Sequence, residues 1–358
     1  MSVNLYEDTI PVRKGEEIDL RQLENYLRQE MKELPKRELQ IEQFPSGHSN
    51  LTYVIKAGDW EAVLRRPPLG PVAPKAHDMK RESAILSTLH PHFPLAPRPY
   101  LYCEDESVIG SEFFLMERRR GAVIDTEFPE GIDATPDNCR KLSEAMVETL
   151  ARLHQLDYKK TELVHMTKPE GFLERQVHGW IKRYEKSKTD EVTEVEDLTT
   201  WLSQNNPVSP EPSVIHYDFK FNNAMFNPNS LREMKGLFDW EMTTVGDPLA
   251  DLGVALGYWI EKDDPDPLKQ GFGKAPVTVR DGFYSRREFA EEYTKLTGRD
   301  IKNLSFYLTF AYFKLAVIVQ QIYYRYKKGQ TNDQRFAQLD TRVKALITHA
   351  SNIVKNGY

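Results

Sequence analysis

The sequence predicts an α+β fold of two unequal lobes: a small antiparallel-sheet lobe over residues 1–118 and a larger, mainly helical lobe over residues 119–358. Two observations predict it. Strand-like alternation and short polar turns crowd into the first 118 residues, whereas apolar residues recur every three or four positions through much of the remaining chain. At 358 residues the chain also exceeds a typical single domain, so a large two-part body with a substantial core is the natural reading.

Near the N-terminus, Leu20, Leu23, Leu27, Met31 and Leu34 recur at helical spacing, with Asp19 and Gln22 placed as a cap pair and Pro35 as a stop. Residues 39–44 alternate like a strand and run into the turn Pro45-Ser46-Gly47-His48-Ser49-Asn50; residues 51–56 and 60–65 read as two more strands around Ala57-Gly58-Asp59. Gly47, with Ser49 beside it, is a candidate nucleotide contact, because a glycine backbone can approach a phosphate closely and offer N–H donors. Alone, such a turn is an ordinary hairpin connection. Arg65 then ends the third strand in a cation, and Arg66 comes next on the opposite face. Taken alone, the pair reads as a solvated strand end before Pro67-Pro68.

Residues 78–89 look helical, and Glu82 within them is placed to pair with the strand cation, although a lone helical glutamate is usually just solvated. Two apolar runs, 100–102 and 112–117, precede Arg118-Arg119-Arg120-Gly121. The hinge between lobes belongs there, with Met116 and Glu117 offering backbone groups to an adenine edge. Thr135-Pro136 opens a helix carrying Leu142, Met146, Leu150 and Leu153, and His154 near its end reads as structural. Shorter helical patterns cover 172–184 and 195–202. Prolines between 207 and 212 force an extended segment, a helix begins after Gly246-Asp247, and Ser285 with Glu288 forms a capping box. Two long helices, 303–326 and 333–354, close the chain.

Composition narrows the partners. A net charge of −6 with mixed signs gives no footprint for nucleic acid or an anionic membrane. Cys103 and Cys139 fit reduced thiols, no basic-then-apolar leader pattern opens the chain, and the apolar run near 306–324 is broken by Lys314, Gln320 and Gln321. A soluble, cytoplasmic protein is expected.

The chemistry concentrates in residues 214–240. His216-Tyr217-Asp218 comes directly after the apolar pair Val214-Ile215, Asn223 lies five residues after Asp218, and Asp239 stands behind Leu237-Phe238. Any one of these is more often a turn former than a catalyst. In combination and order they match a pattern for phosphoryl transfer: a catalytic Asp, then an Asn and a second Asp that hold magnesium. Asp218 is therefore expected to orient a hydroxyl, Asn223 and Asp239 to hold Mg2+ on ATP, and Lys220 with Arg65 to offset developing negative charge. His216 would brace the loop. Glu241, two residues beyond Asp239, shares its face if the strand continues and would then assist the metal or substrate; a solvated or helix-capping role is as natural a reading.

The strings QFPSGHSNLTYVI, AVLRRPP, HYDFKFNNAMF, FDWEMTTVGDPLADLG and FKLAVIVQQIYYR resemble the aminoglycoside phosphotransferase and choline kinase superfamily. The likeness is closest to the kinase-like domains fused to acyl-CoA dehydrogenases and their free-standing bacterial relatives. It implies a bilobal protein-kinase-like fold, ATP and magnesium, and transfer to a hydroxyl of a small molecule, with a hydroxylated acyl thioester suggested by the fused relatives. Tyr217 stands where glycine is usual, and Arg65 where many relatives have lysine. Those departures motivate a competing reading, a nucleotide-binding pseudokinase with a regulatory or scaffold role. Aminoglycoside phosphorylation is a further alternative, for which the only marked acidic run late in the chain is 261–266.

Overall fold

The computed structural model describes residues 8–45, 50–70, 77–269, 274–331 and 333–358. Its elements, in order, are α1 (Leu20–Glu30), β1 (Gln40–Gln43), β2 (Leu51–Ala57), β3 (Trp60–Arg66), α2 (Met79–Leu89), β4 (Pro99–Cys103), β5 (Phe113–Glu117) and β6 (Ala122–Val123). Next come α3 (Pro136–His154), α4 (Leu163–Met166), α5 (Phe172–Ser187), α6 (Val195–Gln204), β7 (Ser213–Ile215), β8 (Ala224–Asn227), β9 (Ser230–Leu237) and β10 (Thr244–Gly246). The chain then continues through α7 (Pro248–Tyr258), α8 (Asp266–Lys269), α9 (Arg286–Thr297), α10 (Leu304–Lys327) and α11 (Leu339–Asn356).

The chain divides into two compact units. The first holds residues 1–122, to which 224–228 and 234–241 return; the second holds the remainder. The two-block division at 118/119 differs in those returning segments. Their return has a local cause, since the Leu237 N–H donates to the Leu95 carbonyl at 2.9 Å and Trp240 packs edge-on against Phe93.

In the first unit, five strands form an antiparallel sheet in the order β1-β2-β3-β5-β4, two more than the three strands expected. Leu23 and Leu27 of α1 join Tyr53, Ile55, Leu64 and Leu115 in one apolar cluster. Asp19 caps α1 through the N–H groups of Arg21 and Gln22, but the helix stops at Glu30, short of Pro35, and Met31 is already extended. Registers Thr52↔Arg65 and Leu51↔Arg66 send the two arginines to opposite faces. Neither is solvated. Arg66 is 3% exposed and donates to the carbonyls of Ile109 and Glu16 and to the Tyr53 hydroxyl, so a cation at a strand end became a core residue by reaching distant acceptors.

The second unit is mainly helical. Its long helix α10 packs on α5, α7 and α11, and β7 pairs antiparallel with β10 through Val214↔Val245. Although α10 has the length and apolarity of a membrane span, 72% of that window is buried inside the protein. Thr135, Asp247 and Ser285 cap their helices as the sequence signals, and Ser285 with Glu288 completes its capping box. The last helix begins at Leu339, later than expected, after a single 3-10 turn at Gln334–Phe336.

Gly253 shows why α7 can lie so close to α10: a Cβ there would meet the Tyr307 carbonyl oxygen at 2.7 Å. Gly253→Val is expected to cost about 1–3 kcal/mol in chemical denaturation, because backbone cannot yield as a side-chain tip can. Wild-type stability in that variant would contradict the close approach.

Candidate active site

In the first unit, β3 delivers Arg65 to a cluster of carboxylates. Its Nη2 donates to Asp239 Oδ1 at 2.7 Å, its Nε lies 3.3 Å from Glu82 Oε2, and Glu241 Oε2 is 4.0 Å away. Helix α2 supplies Glu82 from its first turn, capped by Asp78. Glu82 is 1% exposed, so it is no solvated helix residue. Burial, partly offset by the Arg65 guanidinium, pushes its carboxyl up to about 7. Asp239 lies just past the end of β9 with φ +66, a left-handed backbone that an L-residue adopts at a cost of about 1–2 kcal/mol. Glu241 sits in a 3-10 turn rather than on a continuing strand; it accepts from Asn50 Nδ2 at 3.3 Å, and burial raises its carboxyl too.

In the second unit, the loop after β7 carries the other group. Lys220 Nζ lies 2.9 Å from Asp218 Oδ2, and Asn223 Nδ2 donates to both the Asp218 carbonyl, at 2.9 Å, and its Oδ2, at 3.0 Å. Asn223 thus spends its amide protons on Asp218, which orients its oxygen as the atom to offer a ligand. Asp251 of α7, fully buried, fastens the start of the loop: Oδ2 accepts the His216 N–H at 2.7 Å and Oδ1 the Tyr217 N–H at 2.8 Å. Burial alone would push Asp251 up, but the hydrogen bond from His154 and those N–H donors hold it below the usual carboxylate range.

His216 and His154 are both structural. His216 Nδ1 accepts the Asp218 N–H at 3.3 Å, the bracing role expected of it, and His154 spans Asp251 and the Tyr293 hydroxyl. Tyr217 has φ +66. Lys314 of α10 donates to its carbonyl at 3.0 Å with the ammonium 3.6 Å from the ring centroid. Burial pulls that ammonium down to about 8, while Asp218 and Asp251 oppose the shift.

A cavity of about 550 Å³ opens beside this loop within the second unit. Lys220 and Asp125 line it, and α10 gives it an aliphatic wall of Leu315, Ile318, Val319 and Ile322. Its other charged lining residues, Lys269, Lys274 and Arg342, are all basic. Of the acidic run 261–266, Glu261 and the buried Asp264 pair with Arg286, which leaves Asp263 and Asp266 as its exposed carboxylates.

Residues 40–288 match the family described as the phosphotransferase enzyme family. The chain belongs to that family. It is 33% identical over 342 residues to acyl-CoA dehydrogenase family member 11 of Rattus norvegicus, a match covering 93% of this chain and 43% of that protein. A second relative, acyl-CoA dehydrogenase family member 10 of Mus musculus, is 32% identical over 91% of this chain and 30% of its own length. The chain thus spans less than half the length of these curated relatives. Among solved structures, a Ralstonia eutropha protein provisionally assigned as an aminoglycoside phosphotransferase superposes with a TM-score of 0.77 at 27% identity, covering 95% of this chain and 99% of that one. Choline kinase from Cryptosporidium parvum shares the fold at a TM-score of 0.66 and 13% identity, covering 95% and 97%. This phosphotransferase therefore has the bilobal kinase-like α+β fold its sequence predicts.

Of the residues singled out in the sequence, the first unit brings together Arg65, Glu82 and Asp239, and the second Asp218, Lys220 and Asn223. Met116 and Glu117 lie on β5, where Met116 is buried and the Glu117 N–H already donates to the Arg98 carbonyl at 2.7 Å. Gly47 and Ser49 fall outside the described residues. Sequence reasoning passed over Asp251 and Lys314 as site residues. Both were visible as single charges inside otherwise apolar helical runs, PLADLGVALG and FKLAVIV.

Glu82 gives the cluster a pH signature. A carboxyl raised to about 7 in the folded protein keeps its proton where the unfolded chain, near 4.5, has lost it, so stability falls as pH rises through that window. Relative to Glu82→Gln, the wild type is expected to lose up to about 3 kcal/mol between pH 4.5 and 7.5 in denaturant melts. Parallel curves would contradict the raised carboxyl.

Proposed function

We propose that the chain is an ATP- and magnesium-dependent small-molecule kinase, transferring the γ-phosphoryl group to a hydroxyl of a metabolite that carries an aliphatic segment, as a hydroxyacyl thioester does. The observation that carries the reading is Asp218 held by the Asn223 amide beside Lys220, in a loop that opens on the cavity. Asp218 accepts the acceptor's hydroxyl proton as its oxygen forms the new bond to the γ-phosphorus and the bond to the ADP oxygen breaks. Lys220 and Arg65 offset charge on the moving group.

Asp239 and Asn223 are the residues proposed to hold magnesium, because a carboxylate and an amide oxygen are the hard oxygen ligands that ion takes. When bound, magnesium supplies neutralisation of the nucleotide's phosphate charge. Met116 and Glu117, with Gly47 and Ser49, are proposed to hold the nucleotide. An aminoglycoside phosphotransferase of this fold forms a ternary complex with AMP-PNP and hygromycin B, which supports ATP as donor. The cavity's lining favours a different acceptor here: its aliphatic wall suits hydrocarbon, while Lys220, Lys269 and Lys274 are already paired with Asp218, Asp266 and Glu127. We place the protein in the cytoplasm, free of nucleic acid and membrane, as its mixed surface charge supports.

Incubation with ATP and a library of hydroxylated metabolites, read by mass spectrometry for gain of a phosphoryl group, is expected to single out aliphatic acceptors over aminoglycosides. Asp218→Ala should reduce turnover by about 10²–10⁴-fold. Nucleotide binding with no turnover and no magnesium dependence would instead support the scaffold reading motivated by Arg65 and Tyr217.

A further inference from the structure

We propose that Lys314 is a positioning residue for phosphoryl transfer, and that it acts through Tyr217: the buried ammonium grips the tyrosine's ring and carbonyl, and so fixes the direction in which Asp218 is presented. The inference rests on the kinase reading of Asp218.

Tyr217 is costly twice over. Its φ of +66 lies where glycine is at ease and a side chain is not. Its hydroxyl is buried with no hydrogen-bond partner among the described residues, an arrangement that forfeits solvation without recompense. Nothing about the hydroxyl therefore explains a tyrosine here, and the compensation must come from the ring and the backbone.

Lys314 touches both. Its Nζ sits 3.6 Å from the ring centroid and donates to the Tyr217 carbonyl at 3.0 Å, while Phe172 packs edge-on with the same ring at 5.6 Å between centroids. A desolvated cation over an aromatic face is a strong form of that interaction. The peptide whose oxygen Lys314 holds is the one joining Tyr217 to Asp218, so restraining it restrains Asp218 directly. Asp251 fixes the peptide groups before it, through the His216 and Tyr217 N–H groups. The residue ahead of Asp218 is thus clamped at its N–H, its ring and its carbonyl.

Lys314 cannot itself meet a substrate: it is 3% exposed and committed to Tyr217. It is also the neighbour in sequence of Leu315, which begins the α10 wall of the cavity, so the element that shapes the cavity is the one that holds the loop.

The test uses the full chain as wild type, Lys314→Met, Tyr217→Gly and the double variant, with crystal structures of each, ATP affinity by calorimetry, and phosphate release from ATP with water as acceptor. Lys314→Met is expected to lower phosphate release at least tenfold with ATP affinity unchanged within about twofold, and to displace Asp218 from Asn223. Adding Tyr217→Gly should restore both position and turnover to those of Tyr217→Gly alone, because glycine holds the left-handed backbone without a ring to anchor. A merely structural lysine would give no such rescue. Should Lys314→Met fail to fold, Lys314→Gln, which keeps a donor, takes its place. An unmoved Asp218 in the lysine variant, or a double variant no better than the single one, overturns the proposal. If the wild type releases no phosphate, the kinase reading fails by itself, and the position of Asp218 still decides whether Lys314 places it.

Discussion

One buried carboxylate organises the loop after β7. Asp251 sits on α7 with no exposed surface, accepts two successive backbone N–H groups and receives a hydrogen bond from His154. Leaving either N–H unpaired in that environment would cost about 1–3 kcal/mol. That cost forces the chain to enter the loop in one conformation, and it is this conformation that sets Tyr217 left-handed and aims Asp218 at Asn223 and Lys220.

The first unit solves a different electrostatic problem. Arg65 brings a planar, permanently charged fork where a lysine would bring a point charge. It meets Asp239 and Glu82 together, so the cation is matched by more carboxylate than it can neutralise, and burial leaves Glu82 raised. A nucleotide's phosphates would add negative charge and magnesium positive charge to this balance. Arginine therefore retains the charge logic of the usual lysine, and the substitution is no sign by itself of an inactive kinase.

Much of this was legible in the sequence, because the signals were local. Caps at Asp19, Thr135, Asp247 and Ser285 start their helices as their side chains dictate, and the spacing of Asp218 and Asn223 is short enough to be set by one loop. The failures were long-range. The fourth and fifth strands join the sheet through pairing of β3 with β5, and strand identity alone does not specify a neighbour. Arg66 read as solvated because charge is usually exposed, and its burial depends on acceptors contributed from elsewhere in the chain, Tyr53 and Ile109; the pairing of Glu82 with Arg65, by contrast, was placed from the sequence. The clamp on Tyr217 was illegible for the same reason, since Lys314 lies 97 positions away.

Amide hydrogen exchange in Asp251→Asn measures the central constraint most directly. An asparagine offers one acceptor oxygen where the carboxylate offered two, so one of the His216 and Tyr217 N–H groups loses its partner. Exchange at the amide that loses its partner is expected to rise about thirtyfold, matching roughly 2 kcal/mol of lost protection, while amides in α3 and α10 keep their wild-type rates. Unchanged protection at His216 and Tyr217 would contradict the claim that this carboxylate holds the loop.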